Sequence, residues 1–247
     1  MKNAPPQGVF ETIRCAAGHP FFLERHLERL ARGAELLGLE VPADAERTLR
    51  AKAAELDPCA LRVQLTRTSP ELECSTRPLA PPSASGLVLA LAEERLDPAR
   101  LFTRIKHTER ALYERCRAQA RASGADDALL LTCEGDVCET SVANVWALVD
   151  DVLITPPLER GCLPGIMRAV LIEELAALGL ACRIERLELD RMARASELFL
   201  TSALIRLAPV QAVLGSDWKL AGAYGPLSLR LGRVLAAAAE RDSARRR

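Results

Sequence analysis

Primary amines are scarce in this chain. Lys2, Lys52, Lys106 and Lys219 are the only lysines among its 33 lysines and arginines, and all the others are arginine. A genome-wide preference for arginine codons would produce this bias unaided. An amine, however, can condense with an aldehyde to an imine, and a guanidinium cannot. Lys106, kept among Arg104, Arg110, Arg115 and Arg117, is therefore a candidate for that chemistry. Downstream, Glu139 sits among strand formers, and Gly165 opens an apolar helical run. Upstream, His26 and Arg29 stand three apart on one side of another helical run.

Together these residues answer three requirements. A lysine can form an imine, an acid on a strand can hold a proton on an aromatic nitrogen, and a helix start offers free N–H groups and a positive dipole end to a phosphate. Pyridoxal phosphate makes these three demands of a protein. Arg29 adds a counter-charge. Each residue alone also has an ordinary explanation. Lysines before helices and acids on strands usually face water, and a glycine at a helix start is usually a turn. On spacing alone His26 reads as a partly buried helix histidine held by a nearby backbone group or acid, and Arg29 as a solvated surface charge.

The elements that must position these residues follow from periodicity and turn chemistry. Residues 8–15 and 21–23 read as a hairpin around Ala17-Gly18-His19-Pro20. Leu27, Leu30, Ala34 and Leu37 recur at helical spacing, with Gly38 at the stop. A second helix spans 42–56, and strands follow at 61–67 and 71–77. The Pro/Ser-rich run 78–86 is the strongest linker signal, although residues 87–92 form another strand. The division is placed at residues 1–98 and 99–247. Beyond it the sequence predicts a helix over 109–122, a hairpin of 127–132 with 137–149, and a strand at 152–155. A helix at 165–178 comes next, then strands at 182–189, 197–202 and 209–214, with a short helix at 190–195. A final helix spans 226–239, and Arg245-Arg246-Arg247 is a frayed tail.

Composition narrows the function. The 247 residues carry 33 basic and 33 acidic side chains, so no net field draws the molecule to nucleic acid or to an anionic membrane. No apolar run is long enough to span a bilayer and no signal segment is evident, which leads us to expect a cytoplasmic protein. Eight scattered cysteines without a Cys-x-x-Cys suggest reduced thiols rather than disulfides. Cys133, Cys138 and Cys162 have no suitably spaced histidine, so no metal site is expected. A small molecule is the expected partner.

Several pieces in one order resemble a known family. They are Phe10-Glu11-Thr12-Ile13-Arg14, His26-x-x-Arg29-Leu30, Leu61-Arg62-Val63, Leu65-Thr66-Arg67, Lys106-x-x-x-Arg110, Gly124-Ala125-Asp126-Asp127-Ala128, Glu139-x-x-x-x-Asn144, Thr155-Pro156-Pro157-Leu158, Leu163-Pro164-Gly165-Ile166-Met167-Arg168 and Pro209-Val210. In these the chain resembles the class IV pyridoxal-phosphate aminotransferases and lyases. The resemblance implies a mixed α/β, two-domain, fold-type IV enzyme. A small N-terminal α/β domain and a larger, barrel-like C-terminal domain would hold the cofactor between them, usually within a homodimer.

By the same resemblance, Lys106 forms the imine and moves the proton, and Glu139 pairs with the pyridine nitrogen. Arg29, Ile166, Met167, Ser202 and Ala203 would bind phosphate, while Thr12, Arg62 and His107 are candidate substrate contacts. Transaminases of the family commonly carry a tyrosine five residues after the lysine and a threonine after Gly-Ile. This chain has Ala111 and Met167 there, and looks more like the branch of 4-amino-4-deoxychorismate lyases, which serve folate biosynthesis. That branch implies pairing with an aminodeoxychorismate synthase. A transaminase for branched-chain or D-amino acids is the alternative.

Overall fold

The computed structural model describes residues 5–81, 85–100, 102–180, 182–218, 220 and 225–244. The chain folds as two compact units. One comprises Met1–Pro81, Ile105–Arg110 and Ala239–Arg247, and the other Pro82–Arg104 with Ala111–Ala238. The expected tail at 245–247 and part of the expected linker, 82–84, lie outside the described residues.

The first unit is an antiparallel sheet with helices against one face. Its strands β1 (Gly8–Ala16), β2 (His19–Pro20), β3 (Cys59–Thr66) and β4 (Ser69–Pro78) lie in the order β2-β1-β3-β4. Successive side chains of a strand point to opposite faces. Ile13 and Cys15 of β1 therefore share a core with Cys59, Leu61 and Val63 of β3. Helix α1 (Leu23–Leu36) adds Leu23 to that core, and helix α2 (Ala45–Ala53) adds Leu49 and Ala53. The other face of β1 carries Phe10, Thr12 and Arg14, with Thr12 opposite Arg62 and Arg14 opposite Ala60.

At the Gly8–Phe10 end, the edge of β1 away from β3 is taken by residues 106–108. Phe10 N donates to Lys106 O at 2.9 Å, Thr108 N donates to Gly8 O at 2.9 Å, and Val9 bridges His107. The lysine-bearing segment is thus stitched to a strand almost a hundred residues earlier in the chain by backbone hydrogen bonds.

The second unit contains β5 (Leu87–Leu96), α3 (Ala111–Ala122), β6 (Asp127–Thr132), β7 (Val137–Thr140), β8 (Asn144–Val149) and β9 (Val152–Thr155). It continues through α4 (Ile166–Ala177), β10 (Cys182–Ile184), α5 (Leu189–Met192), β11 (Glu197–Ser202), β12 (Arg206–Val213) and α6 (Pro226–Ala244), whose last turns belong to the first unit. The sheet order β10-β9-β8-β11-β12-β5-β6-β7, with β7 also paired to β8, closes six strands into a barrel. The closing pair is Glu139 with Asn144. Leu89, Leu129, Leu131, Val145, Leu198, Leu200 and Val210 belong to one core. Tyr113, Cys116 and Ala120 of α3 pack with Ala92, Leu130 and Cys138 in another. This is the expected mixed α/β fold with a barrel.

Two expected strands end early. The run 182–189 pairs with β9 only through Ile184, after which Leu187 O accepts from Val137 N at 2.8 Å and Glu188 bridges Asp136, drawing the chain to the start of β7. The run 137–149 breaks at 141–143, where the Thr140 hydroxyl and the Ala143 carbonyl and amide close a tight turn. The final helix extends past the expected residue 239 to Ala244. There Asp242 accepts from Phe22 N at 2.7 Å and lies 3.2 Å from His19 Nε2.

Candidate active site

Lys106 is half-buried, and its Nζ stands 4.6 Å from the centroid of the Phe10 ring. The Arg62 guanidinium stands 4.0 Å from the same centroid. The electron-rich face of an aromatic ring attracts cations. Phe10, Thr12 and Arg62 share one face of the sheet, so Lys106, Arg62 and Thr12 form a basic, hydroxyl-bearing corner suited to an anionic group. His107 turns to other company, with its Nδ1 at 3.5 Å from the Glu109 carboxylate.

Arg29 and His26 lie elsewhere in this unit, on the face of α1 turned to the core. Both are buried, and both meet Glu11, itself buried on the core side of β1. Arg29 donates through Nε and Nη2, each at 2.7 Å, and His26 Nδ1 lies 2.8 Å from Glu11 Oε2. Burial alone would raise the Glu11 pKa. The charge of Arg29, with His26 and the hydrogen bonds from both, outweighs it and holds the carboxyl well below the usual range. Burial also pushes His26 down, and Arg29 and Lys106 act in the same direction against the attraction of Glu11. A neutral His26 with its proton on Nδ1 fits the contact. The expected acid-held histidine describes His26, which is fully rather than partly buried, and the expected solvated charge does not describe Arg29.

In the second unit, Glu139 is buried on β7. Tyr113 Oη donates to its Oε1 at 3.1 Å and Leu163 N donates to its Oε2 at 2.9 Å. Asn144, opposite Glu139 where the barrel closes, donates from Nδ2 to Leu163 O at 2.9 Å. Its Oδ1 lies so close to Gly165 that a Cβ there would stand 1.9 Å away, so no side chain fits without moving Asn144. Gly165 is the N-cap of α4, which has no side-chain cap hydrogen bond, and Ile166 and Met167 form its buried first turn. Amides at such a position have no acceptor within their own helix. Arg168, also buried, donates to Pro156 O at 3.0 Å.

Two buried thiols adjoin Glu139. Burial first, and then the charge of Glu139, push the Cys162 thiol up to about 12 and Cys138 still higher. Both stay protonated and unreactive, and all eight cysteines are free. Ser202 ends β11, with Ala203 in the turn that follows, and both are half-buried.

The expected residues thus fall into two sets. Thr12, Arg29, Arg62, Lys106 and His107 belong to the first unit, and Glu139, Ile166, Met167, Ser202 and Ala203 to the second. Sequence reasoning assigned no role to Glu11, Tyr113 or Asn144. Glu11 carried a signal, an acid alternating in register with Val9, Ile13 and Cys15.

The profile of the class IV aminotransferases matches residues 8–213. A provisionally named branched-chain-amino-acid aminotransferase of Rickettsia bellii is 29% identical over 225 residues, covering 83% of this chain and 77% of that protein. The aminodeoxychorismate lyase of Bacillus subtilis is 30% identical over 230 residues, covering 82% and 76%. A solved structure from Legionella pneumophila, provisionally named a 4-amino-4-deoxychorismate lyase, superposes with a TM-score of 0.86 at 26% identity, covering 94% of this chain and 91% of that one.

Proposed function

The chain belongs to the class IV aminotransferase family, which is pyridoxal-phosphate-dependent, and from that premise we propose that it is a lyase converting 4-amino-4-deoxychorismate to 4-aminobenzoate and pyruvate. The observation that carries this reading is the likeness to the Legionella protein over nearly the full length of both chains. Ala111 and Met167 support it, since neither offers the hydroxyl that transaminases of the family commonly place there.

The residues fit the cofactor. The contact between Gly165 and Asn144 leaves the start of α4 bare of side chains, as a phosphate approaching backbone amides requires. Ile166 and Met167 would supply those amides, with Ser202 and Ala203 beside them and Arg29 as a counter-charge. Because Arg29 already gives Nε and Nη2 to Glu11, the amides carry much of that task. Glu139 would hold a proton at the ring nitrogen, and Lys106 would make the covalent attachment.

When bound, pyridoxal phosphate supplies an electron sink conjugated to the substrate's amine. Lys106 Nζ would take the proton from the ring carbon that bears the amine. The C–O bond to the enolpyruvyl group then breaks with its electron pair on oxygen, leaving an aromatic ring. The departing enolpyruvate takes a proton at its methylene carbon and becomes pyruvate. Aromatisation drives the step, so Thr12, Arg62 and His107 need mainly to orient the substrate and its carboxylates. A homodimer in the cytosol, supplied by an aminodeoxychorismate synthase, completes this reading.

The Rickettsia relative favours a second reading, a branched-chain or D-amino-acid transaminase using the same lysine. One assay decides between them. The purified protein is given aminodeoxychorismate, and separately an amino acid with 2-oxoglutarate. Release of 4-aminobenzoate is expected, whereas glutamate formation without it moves the assignment to transamination. In either case borohydride should fix a chromophore that Lys106→Ala lacks, and its absence from the parent protein would defeat both readings.

A further inference from the structure

Tyr113 lies on the first turn of α3, 8% exposed, with its ring packed among Cys116, Ala120, Leu130, Cys138 and Cys162. Its phenol leaves that apolar setting to meet Glu139 Oε1 at 3.1 Å, while the Leu163 amide meets Oε2 at 2.9 Å. One donor on each oxygen fixes the plane of the carboxylate from two sides, α3 and the loop before α4. Both oxygens accept, as those of an ionised carboxylate can.

We propose that Tyr113 is a positioning residue for the cofactor, holding Glu139 so that the carboxylate sets how firmly the ring-nitrogen proton is held. The inference rests on the cofactor reading above and adds a role to it. Tyr113 stands two positions beyond the place where transaminases of the family commonly keep a tyrosine, and its hydroxyl is directed to the acid. Acting there, it reaches the cofactor through Glu139 and the ring nitrogen.

The consequence has a definite sign. Without the phenol, Glu139 is a stronger acceptor toward any remaining N–H. It would draw the ring-nitrogen proton toward itself, the ring would carry less positive charge, and the Lys106 linkage would keep its own proton to higher pH. Replacing Glu139 by glutamine removes the ring-nitrogen proton outright and acts in the same direction, further.

The test uses the holoenzyme as wild type, Tyr113→Phe, Glu139→Gln and the double variant. The pH titration of the visible band is followed, with kcat and KM measured separately. Tyr113→Phe should move the midpoint upward by about half a pH unit and lower kcat about fivefold with little change in KM. In the Glu139→Gln background the same change should move the midpoint no further. An equal shift in both backgrounds would mean that Tyr113 acts on the ring hydroxyl or through packing, and would overturn the inference, as would an unmoved midpoint in Tyr113→Phe.

A second arm leaves folding out of the question. The chain has two tyrosines, so growth on 3-fluorotyrosine alters few sites, and the more acidic phenol donates more strongly. The midpoint should then fall, and an unchanged midpoint counts against the proposal. A wild-type protein without a Lys106-dependent band overturns the cofactor reading and this inference together. A band that responds to Glu139→Gln but to neither change at Tyr113 overturns this inference alone.

Discussion

Each unit buries a glutamate against its core, and the two are held differently. Glu11 meets a guanidinium through both its oxygens and takes a third contact from His26. Glu139 takes hydrogen bonds from a phenol and a backbone amide. A guanidinium cancels the charge it binds, whereas a phenol and an amide fix the direction of a carboxylate without adding a charge of their own. Glu11 is thereby suited to anchor α1 on β1, and Glu139 to meet a cation. Burial marks a carboxylate as costly, and its partners indicate what the cost serves.

The largest expected effect that could break this contrast is on stability. Glu11→Gln leaves Arg29 buried without its counter-charge and should cost about 3–5 kcal/mol in urea denaturation. A cost as large for Glu139→Gln would dissolve the distinction. That second variant should instead stay within about 1 kcal/mol of the parent and lose roughly a hundredfold in kcat, as removal of one preorganised electrostatic contact does. Next, Gly165→Ala should push Asn144 away and loosen the loop that offers Leu163 N to Glu139. Cofactor affinity, followed by absorbance titration, should fall about tenfold, the size of one lost hydrogen bond to a charged group.

The smallest effect is a pH dependence confined to the first unit. His26 titrates below its ordinary 6.5 when folded, so the unfolded chain binds more protons just below that value. Stability present above pH 6.5 is lost as pH falls beneath it, down to the folded value. Glu11, also lowered from 4.5, adds a second loss as the solution is acidified through the carboxylate range. Urea midpoints should decline from pH 7 to 5, and His26→Gln should flatten that slope while leaving the acid limb.

Much of the fold was legible because its signals are local. The hairpin around Gly18, the helical period from Leu27 to Leu37 and the glycine opening α4 rest on turn chemistry and spacing within a dozen residues. Glu139 was readable for the same reason, an acid in a run of strand formers. The partners of these groups were not. Arg29 finds Glu11 through the packing of α1 on β1, and Tyr113 finds Glu139 through the packing of α3 on the barrel, contacts that no window of sequence contains. The strand expected over 182–189 failed for a related reason. Its later half is apolar enough to continue, but pairing with the start of β7 captured it. The docking of Lys106 on β1 is likewise a long-range event that periodicity cannot foresee.

The closure of the barrel carries one more consequence. The pair that joins β7 to β8 is Glu139 with Asn144, the residues that present the acid and shape the start of α4. The pair that closes the barrel and the loop before α4 therefore share residues, so a ligand seated there would act as a clasp. Its binding free energy would be returned as resistance to opening of the seam, and protection of the β7 and β8 amides from exchange would rise with ligand concentration.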